Sequence, residues 1–311
     1  MKIAIVGAGG VGGYFGARLA DAGVDVTFLA RGAHLDAMRS RGLSVESPLG
    51  DTHVASVKTG ANTDDVGPVD AIIFSVKMKD TETAAEAIKP LVDAGGSVFT
   101  LQNGIESAAR MGAIVGTENV VPGTAMIAST IVQPGVIRQT GKIARLTFGE
   151  LDQRPSKRTE QFLAACQKAG IDAVLSNKIQ WEVWNKFIHL ASFAAMTSIT
   201  RGSIGPILQT PQTRKMLADA MMEATSVAAA HGIEFDANSV SNRIAFLESL
   251  PAETTSSMCV DLLAGRPLEV EGLSGAVVRF GALKGVPTPI HSFIAGVLAV
   301  HANGKAPAPP S

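Results

Sequence analysis

Six consecutive residues near the N-terminus constrain this chain more than any other stretch. Gly7-Ala8-Gly9-Gly10-Val11-Gly12 has the spacing G-x-G-x-x-G. It follows a short apolar run, Lys2–Gly7, whose Ile and Val residues suit a parallel strand buried on both faces. It opens a stretch, Val11–Ala22, that reads as a helix. The spacing alone is weak, but a strand before it and a helix after it make it informative. Gly7 suits the tight turn, Gly9 lets backbone approach a pyrophosphate, and Gly12 allows close helix–strand packing. The helix N-terminus adds free N–H groups and the positive end of its dipole. All six residues are therefore expected to line a dinucleotide site. The bland alternative is a glycine-rich turn that holds nothing.

The N-terminal half alternates strand and helix. Val26–Arg31, Ala71–Lys77 and Ser97–Asn103 read as strands, with helical patterns at His34–Arg41 and Thr81–Val92. Such alternation implies a doubly wound α/β sheet of Rossmann type. Leu43–Lys58 reads as an inserted hairpin-like excursion. Three further strands are expected at 124–132, 135–140 and 143–150, with turns at Pro134-Gly135 and Gly141. A helix at Ser156–Ala169 and a strand at Ile171–Leu175 follow. Beyond that the periodicity is helical, broken at Gly202, Gly205-Pro206, Pro251 and Pro287. The reading is a Rossmann domain over 1–176 and an all-helical domain over 177–311. The tail Ala306–Ser311 reads as a frayed terminus.

Composition narrows the function classes. The length of 311 residues fits two domains. With 27 Lys and Arg against 28 Asp and Glu, the net charge is −1, which gives no broad footprint for nucleic acid or an anionic membrane. Cys166 and Cys259 cannot make a disulfide framework, no CxxC occurs, and no metal site is expected. No secretory signal or membrane span is legible, so a cytoplasmic protein with a small-molecule substrate is expected. Exposed helical faces permit a homodimer.

Parallel α/β sheets bind ligands outside the carboxyl ends of their strands. Four expected strands end there in Gly7, Arg31, Lys77 and Asn103. A site for NAD usually has an acid after the second strand; here Ala30-Arg31 stands there. Arg31 can pair with a 2′-phosphate, so NADP(H) is the expected cofactor, the alternative being a solvated loop cation. Lys77 either reaches cofactor phosphates or ribose, or is a surface lysine. Asn103 before Gly104 is either turn chemistry or a group that orients nicotinamide or substrate.

Lys178–Ile199 reads as one long helix in which Lys186 stands among Trp181, Trp184, Phe187 and Ile188. That lysine either snorkels to solvent or is desolvated, with a lowered pKa that suits a proton donor. His189, three residues on, is titratable and reads as structural. Ser256-Ser257-Met258 opens a helix carrying Asp261, and Glu269 follows a Pro-containing loop. Cys259 reads as a small core residue.

Taken together these stretches resemble the ketopantoate reductase family. The similar segments are KIAIVGAGGVGGYFGARLA, FLARGAHLDAMRSRGL, SVKM at 75–78, LQNG at 101–104, WNKF at 184–187, SSM at 256–258, GRPLEVEGL at 265–273 and GVPTPIHSF at 285–293. The resemblance implies a Rossmann domain joined to a helical domain like that of 6-phosphogluconate dehydrogenase. It implies NADPH-dependent reduction of a 2-oxo acid to a 2-hydroxy acid, in the first place 2-dehydropantoate (ketopantoate) to pantoate in pantothenate biosynthesis. By position, Lys186 matches the family's catalytic lysine, Glu269 its site glutamate, Ser257 its substrate-contacting serine and Asn103 its asparagine. Arg31 and Lys77 match its cofactor contacts.

One departure bears on the substrate. The family's helix carries asparagines four and eight residues after the catalytic lysine, on one helical face. Here those substrate-facing positions are Leu190 and Ala194. His189 or Ser192 is off that face and compensates only if the helix rotates. Ketopantoate and a more apolar 2-oxo acid therefore both stand as expected substrates. Other classes are a dehydrogenase acting oxidatively on the same scaffold and a non-catalytic NADP-binding sensor.

Overall fold

A computed structural model describes residues 1–305; the expected frayed tail 306–311 lies outside them. The chain forms two compact units. One comprises Met1–Gln102 and Ser107–Val183; the other takes the short segment Asn103–Glu106 and everything from Trp184 on.

The first unit holds ten strands. They are β1 (Lys2–Val6), β2 (Asp25–Leu29), β3 (Leu43–Glu46), β4 (Thr52–Val54), β5 (Lys58–Gly60), β6 (Ala71–Phe74), β7 (Ser97–Thr100), β8 (Val120–Gln133), β9 (Val136–Phe148) and β10 (Asp172–Leu175). Its helices are α1 (Gly10–Asp21), α2 (Gly32–Arg41), α3 (Thr81–Asp93), α4 (Ser107–Val115) and α5 (Lys157–Lys168). The sheet order is β4-β3-β9-β8-β7-β6-β1-β2-β5, with β10 added alongside β9. Strands β8, β7, β6, β1, β2 and β5 run parallel. β6 is buried along its whole length, which is why it reads as an unbroken apolar run.

The expected three strands of the middle segment are two. β8 and β9 form one long antiparallel pair, and the chain turns only at Pro134-Gly135. Gly141, with φ +77, makes a bulge inside β9, where the register jumps between Ile127–Ala144 and Ala128–Thr140. A bulge and a turn both use a left-handed glycine, so their sequence signatures coincide. The excursion at 43–58 splits likewise. β3 and β4 pair as a hairpin, but β3 also joins β9 in parallel.

Helix α1 explains the density of glycines beyond the first loop. A Cβ on Gly16 would meet the Phe28 ring at 2.5 Å, one on Gly13 the Ile137 side chain at 2.1 Å, and one on Gly10 the Ser129 carbonyl at 2.3 Å. The helix is thus pressed between β2 on one side and the β8–β9 pair on the other, and the sheet curls round it.

The second unit is helical: α6 (Ile179–Thr200), α7 (Ile204–Gln209), α8 (Pro211–Ala230), α9 (Ser239–Glu248), α10 (Ser257–Leu263), α11 (Ser274–Lys284) and α12 (Pro289–Ala299). Phe187 and Ile188 of α6, Met221 and Val227 of α8, Val277 of α11 and Ile294 of α12 build its core. The α8 side chain of Glu223 accepts the backbone N–H groups of Ile290 and His291 at 2.8 and 3.0 Å, satisfying the free donors at the start of α12. No helix of the described residues is long and apolar enough to cross a membrane.

Candidate active site

The first unit presents the glycine loop much as its spacing requires. Gly7 has φ +92, and a Cβ there would lie 2.8 Å from the backbone of Ser75 and Val76. A Cβ on Gly12 would lie 2.4 Å from the Gly7 carbonyl. These two glycines fix the turn and the helix against the strands. Gly9 differs: it precedes α1 in an extended conformation, no side chain caps the helix, and a Cβ there would meet nothing within 4 Å. The first turn of α1 carries no acidic residue. Open space in front of uncapped N–H groups at a positive helix end fits a pyrophosphate. Gly10 lacks a side chain for another reason, its packing on Ser129, while Ala8 is buried beside it.

The strand ends fall short of the residues expected to close them. β2 stops at Leu29, β6 at Phe74 and β7 at Thr100, so Arg31, Lys77 and Asn103 stand in the loops beyond. Arg31 is exposed and its backbone begins α2. Lys77 is exposed and precedes a 3-10 turn, Met78–Asp80. Gln102, which sequence reasoning passes over, is buried and ties these loops together. Its amide donates to the Val76 carbonyl at 3.0 Å and to Thr81 Oγ1 at 2.8 Å. Only its position beside the Asn-Gly pair could have drawn attention to it.

In the second unit three expected residues come together. Lys186 Nζ donates to Asn103 Oδ1 at 2.9 Å, and Asn103 Nδ2 donates to Glu269 Oε2 at 3.4 Å. Asn103 is fixed there because Ile105 packs on the helical core and Glu106 pairs with Arg279 at 2.6 Å. Glu269 begins a 3-10 turn, Val270–Gly272, and its carbonyl accepts the N–H of Gly272 at 3.1 Å. Burial pushes the Lys186 ammonium down to about 8, the Glu269 carboxylate opposing it. An amine held near neutrality beside a hydrogen-bonding amide and a carboxylate is equipped to hand over a proton.

Ser257 is exposed at the first position of α10 and makes no hydrogen bond to these three among the described residues. Its neighbour Ser256 does the structural work, capping α10 at the Cys259 N–H and bonding to Thr197 Oγ1 at 2.7 Å. Leu190 is half-buried, one turn beyond Lys186, and Ala194 lies in the apolar core. Ser192 is buried, and its hydroxyl has no hydrogen-bond partner among the described residues. His189 lies between the Phe193 and Phe246 rings, and burial, with the charges of Arg243 and Lys186, pushes it down to about 4. It is neutral at physiological pH. Among the described residues no group of His, Cys, Asp and Glu is placed to hold a metal ion.

Comparison with known proteins covers both units. The family described as Ketopantoate reductase PanE/ApbA matches residues 3–153, and its C-terminal counterpart, Ketopantoate reductase PanE/ApbA C terminal, matches 178–302. A curated relative from Mesorhizobium japonicum, named 2-dehydropantoate 2-reductase, is 31% identical over 93% of this chain and 94% of its own. The crystal structure of 2-dehydropantoate 2-reductase from Geobacter metallireducens superposes with a TM-score of 0.91 at 30% identity, covering 96% of this chain and 99% of that one. A ternary structure of D-mandelate dehydrogenase with NADH and anilino(oxo)acetate superposes with a TM-score of 0.87 at 25% identity, covering 97% and 98%.

Proposed function

Since the chain belongs to the ketopantoate reductase family, whose curated relatives are oxidoreductases acting on CH–OH groups, we propose that it reduces a 2-oxo acid to a 2-hydroxy acid with NADPH. 2-Dehydropantoate is the first substrate to test. The observation that carries this reading is the Lys186–Asn103 hydrogen bond, with the lysine held near pKa 8 in an apolar helix.

A nicotinamide cofactor, when bound on the glycine loop, would supply the hydride. Gly9 and the start of α1 would receive its pyrophosphate, and the open approach at Gly9 supports that fit. Arg31 would hold the 2′-phosphate of NADPH, and Lys77 would add a cation at the same strand edge.

Lys186 does the acid work. Its ammonium donates to the carbonyl oxygen of the substrate, polarising it, and transfers a proton as negative charge builds there. Asn103 keeps the ammonium aimed. Glu269 opposes the loss of its proton by burial and accepts from Asn103, so the three hold one orientation. Ser257 serves as a substrate contact at the start of α10.

A second reading concerns the substrate. Leu190 gives the helix no hydrogen-bonding group one turn beyond Lys186, and Ala194, expected to face the substrate, is instead closed into the core. That favours a 2-oxo acid with an apolar or aromatic tail, and the likeness to a D-mandelate dehydrogenase bound to an aryl oxo acid supports it.

Purified protein assayed for NADPH oxidation with ketopantoate and a panel of 2-oxo acids, NADH in parallel, tests both. Fast turnover of ketopantoate selects the first reading. Turnover of phenylglyoxylate or a branched 2-oxo acid with little on ketopantoate selects the second. No turnover on any member, with NADPH bound, overturns both in favour of a sensor.

A further inference from the structure

Arg279 on α11 joins the two loops that bring partners to Lys186. Its Nη2 donates to Glu106 Oε2 at 2.6 Å, and its Nη1 donates to Glu271 Oε2 at 3.4 Å. Glu106 stands three residues after Asn103, and Glu271 stands two residues after Glu269. The two terminal nitrogens of one planar guanidinium thus serve two different carboxylates, each close in sequence to a group of the Lys186 site. The helix beneath is anchored, since Ala276 and Val277 of α11 are buried in the core of the second unit.

Neither loop belongs to a longer regular element that would fix it. Asn103–Glu106 forms no helix or strand and passes through Gly104 at φ +87. Glu269 leads only into the single turn Val270–Gly272. Side chains therefore place both loops. The Asn103 Nδ2 bond to Glu269 Oε2, at 3.4 Å, is near the limit for a hydrogen bond, so a small displacement of either loop breaks it. Gly275, one turn before Arg279, leaves the room the bridge needs. A Cβ there would lie 2.8 Å from Glu271 Oε2 and 3.2 Å from Arg279 Nη1. Arg279 is half-exposed and Glu271 largely exposed, so these pairs add little to the stability of the fold. Their effect is on placement.

We propose that Arg279 is a positioning residue for the reduction. By bridging Glu106 and Glu271 it holds Asn103 and Glu269 against each other, and so keeps the Lys186 ammonium aimed. It acts through those neighbours, not on the reacting atoms. The proposal rests on the reading of Lys186 as proton donor to a 2-oxo acid.

The test combines kinetics with hydrogen–deuterium exchange on the full chain. Arg279→Met keeps the apolar stem and removes the bridge. It should lower kcat with the best 2-oxo acid of the panel about tenfold, as a misaimed donor does, while KM for NADPH stays within about twofold and the melting temperature within about 2 °C. In an Asn103→Ala background the same substitution should cost less than about twofold more, because the residue it acts through is gone. A merely structural arginine would lower the melting temperature instead, and its cost would add in full to that of Asn103→Ala. Arg279→Lys keeps the charge without the fork and should leave kcat about threefold below wild type. Gly275→Ala crowds the bridge without touching a charge and should lower kcat in the same direction. Peptides covering 103–106 and 269–273 should both exchange about fivefold faster in Arg279→Met. If that variant does not fold, Glu106→Gln and Glu271→Gln, each removing one arm, carry the same comparisons. Unchanged kcat, full additivity with Asn103→Ala, or unchanged exchange in either peptide overturns the proposal. A wild-type protein that reduces no 2-oxo acid discards the reductase reading, and exchange then decides the bridge alone: faster exchange in both peptides keeps it, and unchanged exchange discards it too.

Discussion

The Lys186 ammonium donates to the side-chain oxygen of Asn103 at 2.9 Å, across 83 positions of chain. The bond joins a loop that follows a Rossmann strand to the middle of a long helix, and both residues belong to the second compact unit. It occupies one N–H of the ammonium; the other two donate to no partner among the described residues.

Lys186→Ala should lower turnover by about 10²- to 10⁴-fold, the usual worth of a positioned acid. Affinity for NADPH should stay within about twofold, because the glycine loop belongs to the first unit and Lys186 to the second. Stopped-flow NADPH oxidation alongside fluorescence titration of NADPH checks both halves. Wild-type turnover in the variant would remove Lys186 from the mechanism.

The pH profile should carry the same signature. A donor must be protonated, so reduction should be level below about pH 8 and fall above it, Lys186 titrating there. His189, at about 4, stays neutral across that range and contributes no limb. Glu269→Gln removes the charge that opposes deprotonation, so the falling limb should move to lower pH. The linkage has a definite sign. Folding depresses the lysine pKa from 10.5 to about 8, so the unfolded chain binds more protons between those values, and stability from this group rises as pH climbs through that window. Denaturant midpoints at pH 8 and 10.5, compared between wild type and Lys186→Met, isolate that contribution.

Arg31 should set the choice of nicotinamide. Arg31→Ala should reduce kcat/KM with NADPH about tenfold relative to NADH, the side chain being exposed and its pairing with a 2′-phosphate partly screened. Equal efficiencies with the two cofactors in the wild-type protein would show that no such pairing operates.

Two neighbouring glycines should respond in opposite ways. Gly9→Ala places its methyl group in open space. The variant should melt within about 2 °C of wild type but bind NADPH at least tenfold more weakly. Gly10→Ala drives a methyl group into the Ser129 carbonyl, 2.3 Å away. That backbone contact has little room to relax, so about 2 kcal/mol or more of stability should be lost. Thermal melts and cofactor titrations of the pair decide the matter.

Much of the fold was legible because its signals are local. The glycine loop, the buried runs of β1 and β6 and the apolar texture of the helices each show within a dozen residues. The middle segment was misread at Gly141 because a bulge and a turn ask the same left-handed conformation of glycine. Which of the two forms depends on the strand opposite, and β8 continues past it.

The candidate site divides in the same way. Gly7, Gly9 and Gly12 are written in sequence order, and their geometry follows from one turn and one helix start. Lys186 in an apolar helix left two readings open, snorkelling or desolvation, because periodicity reports which face a residue is on and not how much water reaches it. Tertiary packing decided between them by burying the ammonium and bringing to it Asn103, which is itself bonded to Glu269. Arg279 gave no signal in SGAVVRFGALK, since an arginine on a helix is ordinarily solvated. Sequence alone determined the two kinds of architecture and the conformation of the glycine loop, which depend on contacts a few residues apart. Only the folded chain decided which charges lose their water and which find partners, because burial and pairing are set by residues distant in the sequence.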